Sequence, residues 1–284
     1  MMKNSGLQIL SLFIFISLLT GLKNPAVEIN DLERLRLKGK VRSVMETMYA
    51  ISEKSEPSGN NEIIYQKLTL FDENGYEKET RLYRNNAEYL ISRFVPGKDG
   101  KPDEKNEFLP DGTLNLNVTY KYDEKGFRSE AIYNWSENRI IGEICEQYDY
   151  YDDILQNEIF NRVEYKSDYR GYFTEEKFIT SGGEVSFILA SKYDFRGNRL
   201  ESGYLKGNGM LSWITKYKYD RYDNLIESRV FKSNRAVVES EYKYQFDATG
   251  NWLTRKEKRE VYVNILTAGI NTSDMLTERT IEYY

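Results

Sequence analysis

The side chains best able to do chemistry in this chain are its aromatic ones. Its 284 residues include 24 tyrosines, 13 phenylalanines and 3 tryptophans. Tyrosine and tryptophan faces stack on sugar rings and peptide groups, and each adds a polar handle. Tyr120, Tyr122, Trp213, Tyr217, Tyr219, Tyr242 and Tyr244 lie on alternating positions of strand-like segments and are the candidate binding residues. The plainer alternative is that tyrosine suits strands and fills the inside of a curled sheet. Other chemistries are poorly supplied. With no histidine there is no Ser-His-Asp or Cys-His nucleophile system and no histidine-built metal site. The single cysteine, Cys145, permits no internal disulfide and has no basic neighbour to lower its pKa.

Acidic turns invite a calcium reading at Asp72-Glu73-Asn74-Gly75, at Asp99 to Asp103, and at Asp149 with Asp152 and Asp153. None matches an EF-hand loop or a nonapeptide calcium repeat, so turn chemistry is expected there and no metal. The 45 acidic residues could supply a glycosidase-like pair, but none stands out by spacing. Acids beside lysines on strands are ordinary cross-strand partners. Gly207-Asn208-Gly209 and Gly182-Gly183 precede no helix and read as turns, not phosphate loops. No catalytic residue and no cofactor is therefore assigned. The net charge of −5, from 40 basic and 45 acidic residues, leaves no electrostatic footprint for nucleic acid.

The elements that carry these residues repeat. Tyr193-Asp194-Phe195-Arg196-Gly197-Asn198 is echoed by Tyr219-Asp220-Arg221-Tyr222-Asp223-Asn224 and by Phe246-Asp247-Ala248-Thr249-Gly250-Asn251. Upstream copies are Phe71-Asp72-Glu73-Asn74-Gly75 and Tyr122-Asp123-Glu124-Lys125-Gly126, with weaker ones at Tyr148-Asp149 and Ser167-Asp168. The aspartates at 72, 123, 149, 168, 194, 220 and 247 are spaced 51, 26, 19, 26, 26 and 27 apart. The spacing of 51 is two units whose middle copy is eroded, within Pro96 to Asp103.

Each unit reads as a hairpin. Val238, Ser240, Tyr242, Tyr244 and Phe246 alternate with Glu239, Glu241, Lys243 and Gln245, which is the two-residue period of a half-buried strand. Aspartate opens the turn by bonding the backbone two residues on, and Gly, Asn or Asp supplies the left-handed residue. With a first strand near Lys40–Ile51 and a last near Leu276–Tyr283, the chain makes roughly sixteen strands. Laid flat at about 4.8 Å per strand, that ribbon would approach about 80 Å, so it must bend on itself. The expected fold is all-β: an antiparallel meander of repeated hairpins forming one long, strongly curled sheet. The one helical candidate is Asn30 to Leu35, with Asn30 or Asp31 as its cap.

Lys3 is followed by an uncharged apolar run that ends at Leu22. This reads as a secretory signal peptide over 1–22, with an uncleaved membrane anchor as the alternative. Residues 23–284 are then a single β domain.

The Tyr-Asp-x-x-Gly units resemble the YD repeats of the Rhs/teneurin superfamily over about residues 65 to 255. Leu37-Lys38-Gly39-Lys40-Val41 resembles the start of small exported YD-repeat proteins of Bacteroidetes-type bacteria. The resemblance implies a β-sheet shell and a Gram-negative setting (periplasmic, outer-surface or secreted). It carries no enzymatic activity, because the self-cleaving core and toxin of the large family have no counterpart here. The leading expectation is a non-enzymatic exported protein presenting a surface for carbohydrate or a cell-envelope protein. The alternatives are a structural or immunity-type partner acting by sheet-edge pairing and, more weakly, a glycan-active hydrolase. Contact with a membrane is expected only through the N-terminal segment, if that segment is retained.

Overall fold

A computed structural model describes residues 30–51, 62–136, 160–264 and 269–284. The proposed signal segment, Cys145 and the Tyr148-Asp149 copy lie outside the described residues. A short helix, α1 (Asp31–Arg34), precedes sixteen strands. These begin with β1 (Val41–Ile51), β2 (Glu62–Phe71), β3 (Glu77–Arg84), β4 (Ala87–Pro96) and β5 (Pro102–Phe108). Next come β6 (Leu114–Tyr122), β7 (Arg128–Trp135), β8 (Arg162–Ser167), β9 (Phe173–Ile179), β10 (Val185–Tyr193) and β11 (Arg199–Lys206). The last are β12 (Leu211–Tyr219), β13 (Leu225–Lys232), β14 (Arg235–Phe246), β15 (Trp252–Asn264) and β16 (Gly269–Tyr283).

Every strand pairs antiparallel with its sequence neighbour, and β16 returns to pair with β1, closing a sixteen-stranded barrel. The curled meander is thus observed, and it is a closed ring. Closure corrects the sheet-edge alternative. The edges it needed, at Lys40–Ile51 and Leu276–Tyr284, are spent on each other from Val41 opposite Tyr283 to Ile51 opposite Asp274. Among the described residues no strand keeps a free edge for a partner.

The repeated motif builds one end of this barrel, the Asp-turn end. In Asp194-Phe195-Arg196-Gly197-Asn198 the carboxylate Oδ1 accepts the N–H of Arg196 and of Asn198, both at 2.8 Å. The Gly197 N–H donates to the Asp194 carbonyl, and the Asp194 N–H donates to the Asn198 carbonyl. Asp72, Asp123, Asp168 and Asp220 accept the same two N–H groups. The fourth residue is left-handed, with φ 83° at Gly197 and 67° at Asp223, which is why glycine or a small acid recurs there. The eroded copy folds alike, with Gly100 N–H on Gly97 O. These carboxylates serve as turn caps, in line with turn chemistry.

Each of these hairpins also carries one extra residue on its return strand. Tyr193 pairs with Arg199 while Lys192 pairs with Glu201, leaving Leu200 as the bulge. The same two-against-one step recurs at Lys78, Asp103, Ser129, Thr174, Ile226 and Leu253. A bulge resets the alternation of faces, and this explains why Leu225 and Ile226 read ambiguously in sequence. It also turns one carbonyl out of the ladder, and a motif tyrosine of the next hairpin takes it. Tyr122 Oη donates to Pro102 O at 2.6 Å, and Tyr219 Oη donates to Arg199 O at 3.0 Å.

Residues directly opposite in the ladders share a face, so the two walls can be read off the register. Outward stand repeated ion pairs: Lys121–Glu130, Lys166–Glu175, Lys192–Glu201 and Lys218–Glu227. Such exposed pairs contribute about 0–1 kcal/mol each and chiefly mark the wet face. Inward, the main cluster joins Phe160, Val163, Phe178, Phe187, Leu189, Tyr204, Trp213, Val230 and Val238. Phe178 stacks on Phe187 at 4.1 Å and Tyr204 on Trp213 at 4.1 Å, each pair directly opposite in its ladder. Each stacked pair adds about 0.5–1.5 kcal/mol beyond the area it buries.

Candidate functional site

At the Asp-turn end, two places combine accessible aromatic rings with cations. The first is its rim. Consecutive hairpin tips present Tyr169, Phe195 and Tyr222, which are 78%, 83% and 64% exposed. The Asp cap makes this happen, because it folds the turn backbone over itself and leaves the residues just after it pointing away from the strands. An arginine lies by each ring: Arg170 at 5.4 Å from Tyr169, Arg196 at 5.4 Å from Phe195 and Arg221 at 4.6 Å from Tyr222. The arginines also fasten tip to tip. Arg170 Nη1 donates to Asp194 O at 2.6 Å, and Arg196 Nη1 donates to Arg221 O at 3.2 Å and to Asp223 Oδ1 at 3.0 Å. Neighbouring tips are one hairpin apart, two strand spacings or about 10 Å. Asp194 and Asp220 sit below the usual carboxylate pKa. Burial pulls each upward, but the side chain and N–H of Asn198 or Asn224 outweigh it.

The second place is the space beneath a strap formed by residues 30–38, which crosses the same end. The Leu32 N–H donates to Gly75 O at 3.0 Å, and Asn30 caps α1 by accepting the Glu33 N–H at 2.9 Å. Further along, Arg34 lies 5.0 Å from the Phe173 ring and Arg36 lies 5.8 Å from the Tyr219 ring. The strap ends on the β14–β15 turn, where the Lys38 N–H donates to Asn251 Oδ1 at 2.7 Å and Asn251 Nδ2 returns a bond to Lys38 O at 2.9 Å.

Under the strap the inner wall changes from aliphatic to charged and phenolic. Glu46 on β1 accepts from Arg279 Nε on β16 at 2.8 Å, and Arg279 lies 3.4 Å from the Trp252 centroid. Burial pushes the Glu46 carboxyl up, but Arg279, then Lys67 and Arg255, hold it below its ordinary range. A cavity of about 30 Å³, room for one water, opens beside them between Leu35, Lys67, Thr69 and Phe71. Burial pushes Tyr244 up to about 12 against the pull of Arg255 and Arg279. Around the wall, Arg128 pairs opposite Tyr122, and its guanidinium stacks 4.0 Å from the Tyr120 ring. Its Nε is buried with no hydrogen-bond partner, and it makes no ion pair with a described residue. Leaving such a donor unsatisfied costs about 1–3 kcal/mol.

The structure sorts the sequence-derived binding residues into three kinds, all on the inward face. Trp213 and Tyr242 are buried in the wall, Trp213 in its stack and Tyr242 with its hydroxyl 3.1 Å from Ser228 Oγ. Tyr122 and Tyr219 spend their hydroxyls on the preceding hairpin. Tyr120, Tyr217 and Tyr244 are half-buried, with Tyr120 under Arg128 and Tyr244 against Trp252 at 6.0 Å. Tyr169, Phe195, Tyr222 and Arg128 escaped sequence reasoning. The signal for the first three was a large ring where a turn normally carries a small polar residue.

No family model matches this chain, and no curated protein does. Among solved structures, a porin-like protein from Bacteroides uniformis matches with a TM-score of 0.54 at 8% identity, covering 86% of this chain and 99% of that one. At that identity the likeness shows a shared barrel fold and nothing about activity. A Photorhabdus luminescens Tc holotoxin pore chain gives 0.31 at 8% identity over 80% of this chain, which spans 16% of its length. A LolA superfamily protein from Nitrosomonas europaea gives 0.27 at 8% identity over 92% of this chain and 90% of that one. Neither of these two scores supports an inference.

Proposed function

We propose that this chain is a non-enzymatic, exported binding protein of the YD-repeat kind that recognises carbohydrate through its Asp-turn rim. One observation carries the reading: Tyr169, Phe195 and Tyr222 are large aromatic rings held exposed on consecutive tips by their own arginines. Rigid exposed rings at a regular interval suit stacking on successive sugars of an extended glycan, and an exposed patch of this kind marks a binding site. The outer wall supports a water-facing life in the periplasm or at the outer surface. A Lys or Arg facing lipid at mid-bilayer costs about 2–4 kcal/mol, and the outward ion pairs continue to the middle of the strands at Lys177–Glu164, Lys216–Glu201 and Arg229–Glu239.

Screening the protein against bacterial envelope and dietary polysaccharides tests this reading. A bound glycan should lose about three- to tenfold in affinity for each of Tyr169→Ala, Phe195→Ala and Tyr222→Ala, consistent with about 0.5–1.5 kcal/mol per stacked ring. The melting temperature should barely move, because these rings stand clear of the wall. Failure of every glycan to bind, or a triple variant that binds as tightly as the parent, would sink the idea. Aromatic and arginine side chains also dominate protein interfaces. A purified envelope protein whose binding is lost in the triple variant, with no glycan bound, would establish the second reading.

A further inference from the structure

We propose that Arg128, on the inner wall near the Asp-turn end, anchors a binding site for the carboxylate of a small ring-bearing acid. The inference stands apart from the rim. Inside a protein a guanidinium is almost always paired, because it stays charged at any pH and is costly to hold without a partner. Arg128 is enclosed by the barrel wall yet makes no ion pair with a described residue, and its Nε has no acceptor. Two carboxylates are nearby in the fold. Asp31 of the strap accepts the Glu77 N–H at 2.8 Å, and Glu176 stands opposite Tyr165. Neither is within ion-pair reach of Arg128.

Position in the repeat explains how the side chain came to be there. Arg128 is the fifth residue after the turn aspartate, just before the bulge at Ser129, and the bulge aims it inward opposite Tyr122. Tyr120 packs against one face of the guanidinium at 4.0 Å. A planar cation fixed by a ring presents its edge, and an edge matches a planar carboxylate through two parallel N–H···O bonds. Tyr133 and Tyr165 are phenols of the same part of the wall. Burial raises both hydroxyls above their ordinary pKa, and the two are hydrogen-bonded to each other with Tyr133 donating, so the Tyr165 O–H remains as a donor that can complete the oxygen shell. The neighbouring Tyr rings supply flat surfaces for the rest of the ligand, which is why the acid should carry a ring.

The probes are D-glucuronate and benzoate, each compared with its neutral counterpart (D-glucose, benzyl alcohol) and with inorganic phosphate, read as thermal shifts of the whole protein. One or both carboxylates should raise the melting temperature by several degrees at saturating concentration, and the neutral counterparts should not. Glucuronate alone marks a sugar acid as the ligand class, and benzoate alone marks an aromatic acid. Arg128→Gln should abolish the shift, and Arg128→Lys, which keeps the charge but loses the planar fork, should weaken binding at least tenfold. The proposal is overturned by equal shifts from the neutral compounds, by phosphate acting without either carboxylate, by no shift at all, or by a shift that survives Arg128→Gln. Should Arg128→Gln fail to fold, Arg128→Lys decides, and a shift unchanged there also overturns the proposal. Neutral oligosaccharides report on the rim separately, so either reading can fail without the other.

Discussion

Arg279→Met should lower the free energy of unfolding by about 3 kcal/mol, measured by urea titration, although it removes a single ion pair. The pair it removes is part of the closing seam. Glu46 on β1 and Arg279 on β16 lie opposite each other across the junction that makes the sheet a ring. Removing one member of a buried pair strands the other and costs about 3–5 kcal/mol. The lower end applies because the Glu46 side chain is 26% exposed and keeps Lys67 and Arg255 nearby. Met also forfeits the cation that lies 3.4 Å from the Trp252 ring. A loss below about 1 kcal/mol would mean that the pair behaves like an exposed one. The same pair sets an acid limit. Burial raises and the cations more than offset it, so the folded-state pKa of Glu46 lies below its ordinary 4.5. Its contribution is therefore fully present above that value and is lost as pH falls through the lower, folded-state value. Asp194, Asp220 and Asp247 are lowered as well and act in the same direction. The melting temperature should drop on acidification below pH 4.5 in the parent and drop less steeply in Arg279→Met.

Gly207→Ala should be nearly as damaging, at about 3 kcal/mol, although it adds one methyl group at a hairpin tip. The methyl would overlap the carbonyl oxygen of Val185 on the adjacent hairpin. Backbone cannot swing aside as a side chain can, so the β11–β12 turn or the start of β10 must shift. Overpacking of that kind costs about 1–3 kcal/mol, and a backbone obstacle places it at the top of the range. Two neighbours separate steric from conformational cost. At Gly209 nothing lies within 4 Å, but φ is 81°, so Gly209→Ala should cost about 1 kcal/mol through backbone strain alone. Gly203 lies in a strand with Leu211 Cδ1 at 3.3 Å, a flexible group that can yield, so Gly203→Ala should be close to neutral. Equal losses at Gly207 and Gly209 would contradict this ordering.

Hairpins were legible in the sequence because everything that makes them is local. The aspartate and its fourth-place glycine lie within five residues, and the period-two pattern of Val238 to Phe246 needs only its own strand. Closure was not legible, since whether β16 meets β1 depends on twist accumulated over every intervening strand. The bulges were hidden too, because an extra residue looks like a blemish in the alternation. Leu225-Ile226 read as mixed facing until Ile226 was seen to oppose no partner. That blindness carried over to the sites. Arg128 looks like one more outward strand cation unless the bulge at Ser129 is counted, and the choice between the two readings of the tyrosine rows, binding surface or filling of a curled sheet, waits on the ring being shut.

Ring closure by the two ends of the chain also dictates an order of events. Each hairpin can form as soon as its own residues exist, yet β1 keeps an unsatisfied edge until β16 arrives, more than 200 residues later. Contacts of such sequence separation form slowly, and an open edge in the meantime recruits other chains. A chain that crosses a membrane unfolded must therefore complete its last strand before it is safe from self-association. Loss of β16 would leave not a smaller barrel but a curled sheet with two adhesive borders, β1 and β15.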